Sequence, residues 1–132
     1  MVTLNDIFDY FRADELASRS APDNRDVTGD TLLSALNEPD SAPVGDQKAL
    51  NRIQLALDDA HSEVLVLSGF VDFDNVNDDY IPLIRRIIAD FTRGNLYTES
   101  MPKSMSDTIE INRGLLSELK YHQLVTLTLK RR

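Results

Sequence analysis

Apolar residues recur at three- and four-residue steps along most of this chain, the spacing of one face of an α-helix. Thr3 opens the first stretch. Asp6 follows three residues later as a loose capping box, and Leu4, Ile7, Phe8 and Phe11 form the stripe. Asp14-Glu15-Leu16 predicts a short second turn ending near Ser20. The clearest helix carries Ala49, Ile53, Ala56, Leu57, Ala60, Val64 and Leu67 on one side, with Lys48, Arg52, Asp59 and Glu63 away from it. Asp46 is its expected N-cap. Ser68-Gly69 is its expected end, because glycine accepts the left-handed conformation past a helix terminus. Pro82 suits the first turn of a third main helix, whose residues Leu83, Ile84, Ile87, Ile88 and Phe91 make a face wide enough for a central element. Gly94 weakens its end, and Leu96 and Tyr97 extend the pattern. A fourth helix is predicted from Ser106 to His122. Ile109, Ile111, Leu115, Leu116 and Leu119 supply its buried side, although Gly114 costs about 1 kcal/mol in helix propensity.

Between these elements lie two loops. Residues 20–45 contain Pro22, Gly29, Pro39, Pro43 and Gly45, with a short helical piece expected over Thr31–Asn37 and Asp30 as its cap. Residues 70–79 form an acidic loop. The tail, 123–132, behaves differently: Leu124-Val125-Thr126-Leu127-Thr128-Leu129 alternates apolar and hydroxyl residues, which is strand spacing. No other strong strand exists for it to pair with. It either pairs with another subunit or a partner's edge, or lies as an extended arm on its own bundle. Lys130-Arg131-Arg132 ends it as a basic tip. The expected fold is mainly α, a single domain over 1–132 built as a small bundle of about four helices with long loops and a C-terminal extended arm or strand.

Composition narrows the function. The absence of cysteine excludes disulfides and thiolate metal sites. No apolar run approaches the roughly 20 residues that span a bilayer, so no membrane partner is expected. Met1 to Asp6 lacks the basic start and apolar stretch of a signal peptide, which predicts a soluble, cytoplasmically made protein. The net charge of −8 is unevenly spread, with 17 acids and 5 bases in residues 1–80 against 5 acids and 9 bases in 81–132. That balance disfavours tight binding of free nucleic acid, which needs clustered cations. It serves solubility, or it allows acidic and basic faces of identical subunits to pair and close into a ring.

The search for catalytic chemistry is mostly negative. Asp72 and Asp74 occupy the first and third positions of a calcium loop, but Val76, Asn77 and Leu83 stand where a ligand, the glycine and the bidentate glutamate belong. His61 and His122 lie on different predicted helices without metal-ligand spacing. No nucleophile elbow, Walker loop or dinucleotide fingerprint is present. Asp58 and Asp59 are adjacent on a helix and point apart. No cofactor and no enzymatic activity are expected. The one notable cluster is basic. Arg86 and Arg93 are seven residues apart on one face, with Arg85 about 100° round from Arg86. Such a patch could touch DNA phosphates or a neighbour's acids, and the acidic first half favours the acids.

Several of these residues together resemble a known family. Thr3-x-x-Asp6-Ile7 with Phe11 and Glu15-Leu16, then Ala56-Leu57-x-Asp59-Ala60-x-x-Glu63-Val64, then Pro82, Ile87, Ala89-Asp90 and Leu96-Tyr97, then Leu115-Leu116-x-x-Leu119 and Leu127-x-Leu129, occur in order along nearly the whole chain. The pattern resembles the head–tail connector proteins of tailed phages, specifically the Mu-type small virion-assembly family. It departs from it in the long segment Asp23–Gly45, in the apolar run Val64–Leu67 and in the loop Phe70–Asp79. The resemblance implies a structural virion protein at the head–tail neck, an adaptor forming a ring of about twelve copies beneath the portal protein. Such a ring extends the DNA channel, with DNA only as passing contents, and receives a further connector or tail-completion protein. Expected contacts with subunits or partners are Arg85, Arg86, Arg93, Leu124, Val125, Leu127, Leu129, Lys130, Arg131 and Arg132. The other reading is a small soluble helical module that binds or regulates a protein partner.

Overall fold

The computed structural model describes residues 1–98 and 100–123 in full, and from Leu124 to Lys130 the helix assignment alone. The described residues form six α-helices and no strand: α1 Leu4–Tyr10, α2 Ala13–Ser20, α3 Gly29–Asn37, α4 Val44–Ser68, α5 Ile81–Asn95 and α6 Lys103–Lys130. Short 3₁₀ turns stand at Pro39–Ser41, Phe73–Asn75 and Asp78–Tyr80. The mainly helical architecture agrees with the hydrophobic pattern. The count exceeds the expected four because the second turn is a full helix and a nine-residue helix occupies part of the 20–45 loop.

The caps explain where the helices begin. At α1 the expected box is complete: Asp6 N–H donates to the Thr3 hydroxyl at 3.2 Å, and Thr3 N–H donates to the Asp6 carboxylate at 2.9 Å. At α3 the cap is Thr28 and not Asp30, for Thr28 and Thr31 exchange the same pair of bonds. Asp30 falls inside the first turn, where a negative charge complements the helix dipole. Gly29 is required there, since a Cβ would come within 2.8 Å of the Asp14 backbone nitrogen at the start of α2. α4 starts at Val44, after Pro43, ahead of the expected cap. Asp46 is therefore buried in its first turn, and its carboxylate accepts the Thr31 hydroxyl at 2.7 Å. It ties α3 to α4 in place of capping. α4 ends as expected, with Gly69 at φ 76°.

The core gathers around α5. Ile84, Ile87, Ile88, Ala89, Phe91 and Thr92 are all essentially inaccessible. α4 shares the largest interface with it, and its Ala49, Ile53, Ala56, Leu57, Ala60 and Val64 are buried in the same cluster. Leu83, expected on the buried face, is 37% exposed in the first turn of α5, while the adjacent Ile84 is fully buried. α6 packs on both α4 and α5. Its inward line runs through Met105, Ile109, Asn112 and Leu116 and on to the half-buried Leu119 and Gln123. These alternating steps of four and three form the narrow seam of a coiled coil. Ile111, expected inside, falls off that seam and is 64% exposed. Gly94 allows the close approach, because a Cβ there would lie 2.6 Å from the Ile109 Cδ1 atom. At the far end Gln123 donates to the Ser68 carbonyl at 2.7 Å, satisfying the terminus of α4 from α6.

α6 begins before Ser106, and its helix assignment runs past His122 to Lys130; the extended arm or strand expected over 123–132 falls almost wholly on residues outside those described in full. The side chains of Leu124, Val125, Leu127, Leu129 and Lys130, together with Arg131 and Arg132, lie outside the described residues.

Two substitutions on α6 test this packing. Asn112 occupies a seam position and donates to Asp90 at 3.1 Å, both side chains being buried. Asn112→Ala is expected to cost about 1.5–3 kcal/mol in urea denaturation, because a buried carboxylate loses a bond to a charged acceptor. Gly114 has open space around it. Gly114→Ala should raise stability by about 0.5–1 kcal/mol through backbone entropy.

Candidate functional site

The basic cluster on α5 is brought together as its spacing predicts, but each arginine meets an acid of its own chain. Arg85 lies 3.3 Å from Asp6 of α1 and donates to the Met1 carbonyl at 3.0 Å. Arg86 lies 3.3 Å from Asp90, one turn ahead on α5. Arg93 pairs with Glu15 of α2 at 2.5 Å. Aromatic rings fill the space between. The guanidinium of Arg93 is 5.2 Å from the Phe11 ring centre, and that of Arg86 is 5.6 and 5.7 Å from Tyr10 and Phe11. A fourth arginine, Arg113 of α6, reaches Glu63 of α4 at 3.1 Å. Three of these four pairs join the acidic first part of the chain to the basic second part. The charge asymmetry is thus partly neutralised within one molecule.

Electrostatics follow the geometry. The Thr3 backbone N–H, foremost, holds the Asp6 carboxyl below its ordinary range; burial opposes this, and the Thr3 hydroxyl and Arg85 add to the lowering. The carboxylate accordingly remains charged, and available to Arg85, in mild acid. Asp90 is more deeply buried and receives both Arg86 and Asn112. Asp72 and Asp74, the residues of the failed calcium pattern, serve local turns: Asp72 accepts the Asp74 N–H and the Asn75 side-chain amide. No group of three or more metal-ligating side chains stands together among the described residues. No helix among them is long and apolar enough to cross a membrane.

Among the described residues, two surface features stand out as apolar and open. The first is a groove of about 540 Å³ between the start of α1, the end of α3 and the first half of α4. Leu4, Leu36 and Leu50 form its apolar lining, and Asn5, Asn51 and Gln54 add amide groups. The second is the outer side of α4. Val44, Leu55 and Val66 are 65–72% exposed and follow one another at eleven-residue steps. Eleven residues make three turns and about 20°, so the three side chains form a line with gaps of about 16 Å. Periodicity passes over both features, because it scores the inward stripe and treats isolated outward apolar residues as ordinary surface.

His61, placed off the apolar stripe by its spacing, is half-buried and hydrogen-bonded on both ring nitrogens. Its partner across the fold, the Val2 N–H, is 59 residues away, beyond any local signal. His122 is exposed.

No family model, curated protein or solved structure matches the chain. The resemblance to the connector family rests on the ordered residues quoted above.

The pairing of Arg93 with Glu15 yields a direct test. A double-mutant cycle of Arg93→Gln and Glu15→Gln, read by urea denaturation, is expected to show a coupling of about 0.5–1 kcal/mol. Additive losses would mean that the pair contributes nothing to holding α2 on α5.

Proposed function

We propose that this chain is a structural, non-enzymatic subunit of a phage virion, an adaptor joining the portal-bearing head to the tail. The observation that carries the reading is the outward line Val44, Leu55 and Val66 on the 25-residue α4. Polar and charged residues, among them Asn51, Arg52, Asp58 and Asp59, stand around it. Spaced apolar points within a polar rim suit repeated lateral contact between folded copies, which bury small apolar cores and leave wet edges. The ordered resemblance supports the same conclusion over nearly the whole chain. In this reading about twelve copies close into a ring under the portal. Acids left unpaired by the arginines give the ring a negative surface, which repels DNA and lets it pass. The far side of the ring receives the next connector or the tail.

A second reading, a soluble helical module that binds a protein segment, draws on the groove between α1, α3 and α4. Its apolar lining and amide groups are the chemistry of a pocket for one extended or helical peptide. It predicts a small complex of defined size and no association with particles.

Sedimentation with isolated portal rings and with DNA-filled, tail-less heads separates the two. The adaptor reading expects co-sedimentation at a fixed ratio to the portal subunit. Leu55→Glu is expected to abolish this while leaving unfolding within about 0.5 kcal/mol of the parent, since the position is exposed. A folded parent chain that binds neither particle would remove the adaptor reading.

A further inference from the structure

We infer that His61 is a pH-sensitive latch that holds the N-terminal strap, Met1–Thr3, and with it α1, onto α4 only while its ring is neutral. The geometry forces the protonation state. A backbone N–H can only donate, so Nε2 of His61, 3.1 Å from the Val2 nitrogen, must offer a lone pair. The ring hydrogen then sits on Nδ1, where it donates to the Leu57 carbonyl at 2.9 Å. Both nitrogens are committed. A second proton has no place except on Nε2, where it would set one N–H against another in a half-buried site. The ring must stay neutral or release Val2.

The surroundings make release consequential. Val2 is 4% exposed, and Phe73 stands edge-on to the imidazole at 5.4 Å between ring centres. Beyond the packing of Val2, the strap has one further hydrogen bond across the fold, from Arg85 to the Met1 carbonyl, and arginine does not titrate in any ordinary buffer. The charges around His61 come from each side. The Met1 amine opposes a positive ring, and Asp58, one turn earlier on α4, favours it. Arg85 of α5 faces the strap. Asp72 and Asp74 flank Phe73 but are exposed, and the Asp72 carboxylate is taken up by its own turn. Asp6 of α1 is held by Thr3 and Arg85.

Burial, the largest influence, lowers the His61 pKa from its ordinary 6.5; the Leu57 carbonyl raises it, the Met1 amine lowers it and Asp58 raises it, with a net lowering. The sign follows. A folded-state value below the unfolded one means that the released form binds the extra proton. The latch contributes fully above pH 6.5 and is lost as pH falls from there through the folded-state value. Within that window the released fraction grows about tenfold per pH unit. Asp6 titrates below the usual carboxylate range, so opening in mild acid is attributable to His61.

Nitrogen NMR of the full chain tests this. At pH 8 the His61 ring is expected in the Nδ1–H form, the minor tautomer of free histidine. Between pH 8 and pH 5 the backbone order of residues 2–7 should fall in step with His61 titration while α5 keeps its order. His61→Gln should remove that pH dependence, and His122→Gln should leave it intact. An Nε2–H tautomer at pH 8 would overturn the proposal, as would a strap that remains ordered once His61 is charged. The tautomer measurement needs no variant and stands even if His61→Gln does not fold.

Discussion

Six successive residues of α5, Ile87 to Thr92, are buried. Six positions take in more than one and a half turns, so no side of the helix faces water there. A helix buried all round must be enclosed by other elements, and that constraint organises the chain. α4 supplies the longest wall, α6 closes a second side along a heptad seam, and α1 and α2 reach the remainder through aromatic and acidic side chains. The enclosed run includes Asp90, which is tolerable only because Arg86 and Asn112 both meet its carboxylate. The Asn112 contact also pins the register of α6 against α5, for a polar residue at a seam position is satisfied in one alignment.

The arginines of α5 follow from this enclosure. Where the buried arc meets the surface, the guanidinium groups of Arg86 and Arg93 lie over aromatic rings, and Arg85 and Arg93 find carboxylates of α1 and α2. Each pair is partly exposed and contributes modestly by itself. Together with Phe11 and Tyr10 they decide where two short helices, too short to persist alone, come to rest. A patch that reads as a docking surface along the chain therefore acts first as internal fastening. The outer line of α4 and the groove beside α3 stay exposed beside it.

The strap at the N-terminus shares this fastening. Arg85 joins Asp6 and the Met1 carbonyl, and His61 takes the neighbouring amide from the opposite side. One hold is permanent in charge and the other depends on a proton. α1 also borders the open groove, through Thr3, Leu4 and Asn5. The strap and the groove therefore share Thr3 and the start of α1.

The long helices were legible in the residues themselves. A stripe such as Ala49 to Leu67 has one way to bury itself, and Gly69, Pro82 and the Thr3–Asp6 pair mark boundaries through backbone geometry that acts locally. The caps at Thr28 and Pro43 were less legible, since Asp30 and Asp46 offer equally good local chemistry; α3 starts against α2 at Gly29, and Asp46 is taken up by Thr31 inside the first turn of α4. Ile111 and Leu83 went to the surface although their spacing fits a buried face, because burial depends on which neighbour arrives and not on the stripe alone. The roles of the charged groups lay furthest from the sequence. That Arg93 meets Glu15, Arg113 meets Glu63 and His61 receives Val2 depends on contacts 50 to 78 residues apart. Local spacing determined which segments coil and which sides are apolar; only the packing around α5 decided which charges are spent inside the chain and which apolar side chains stay exposed.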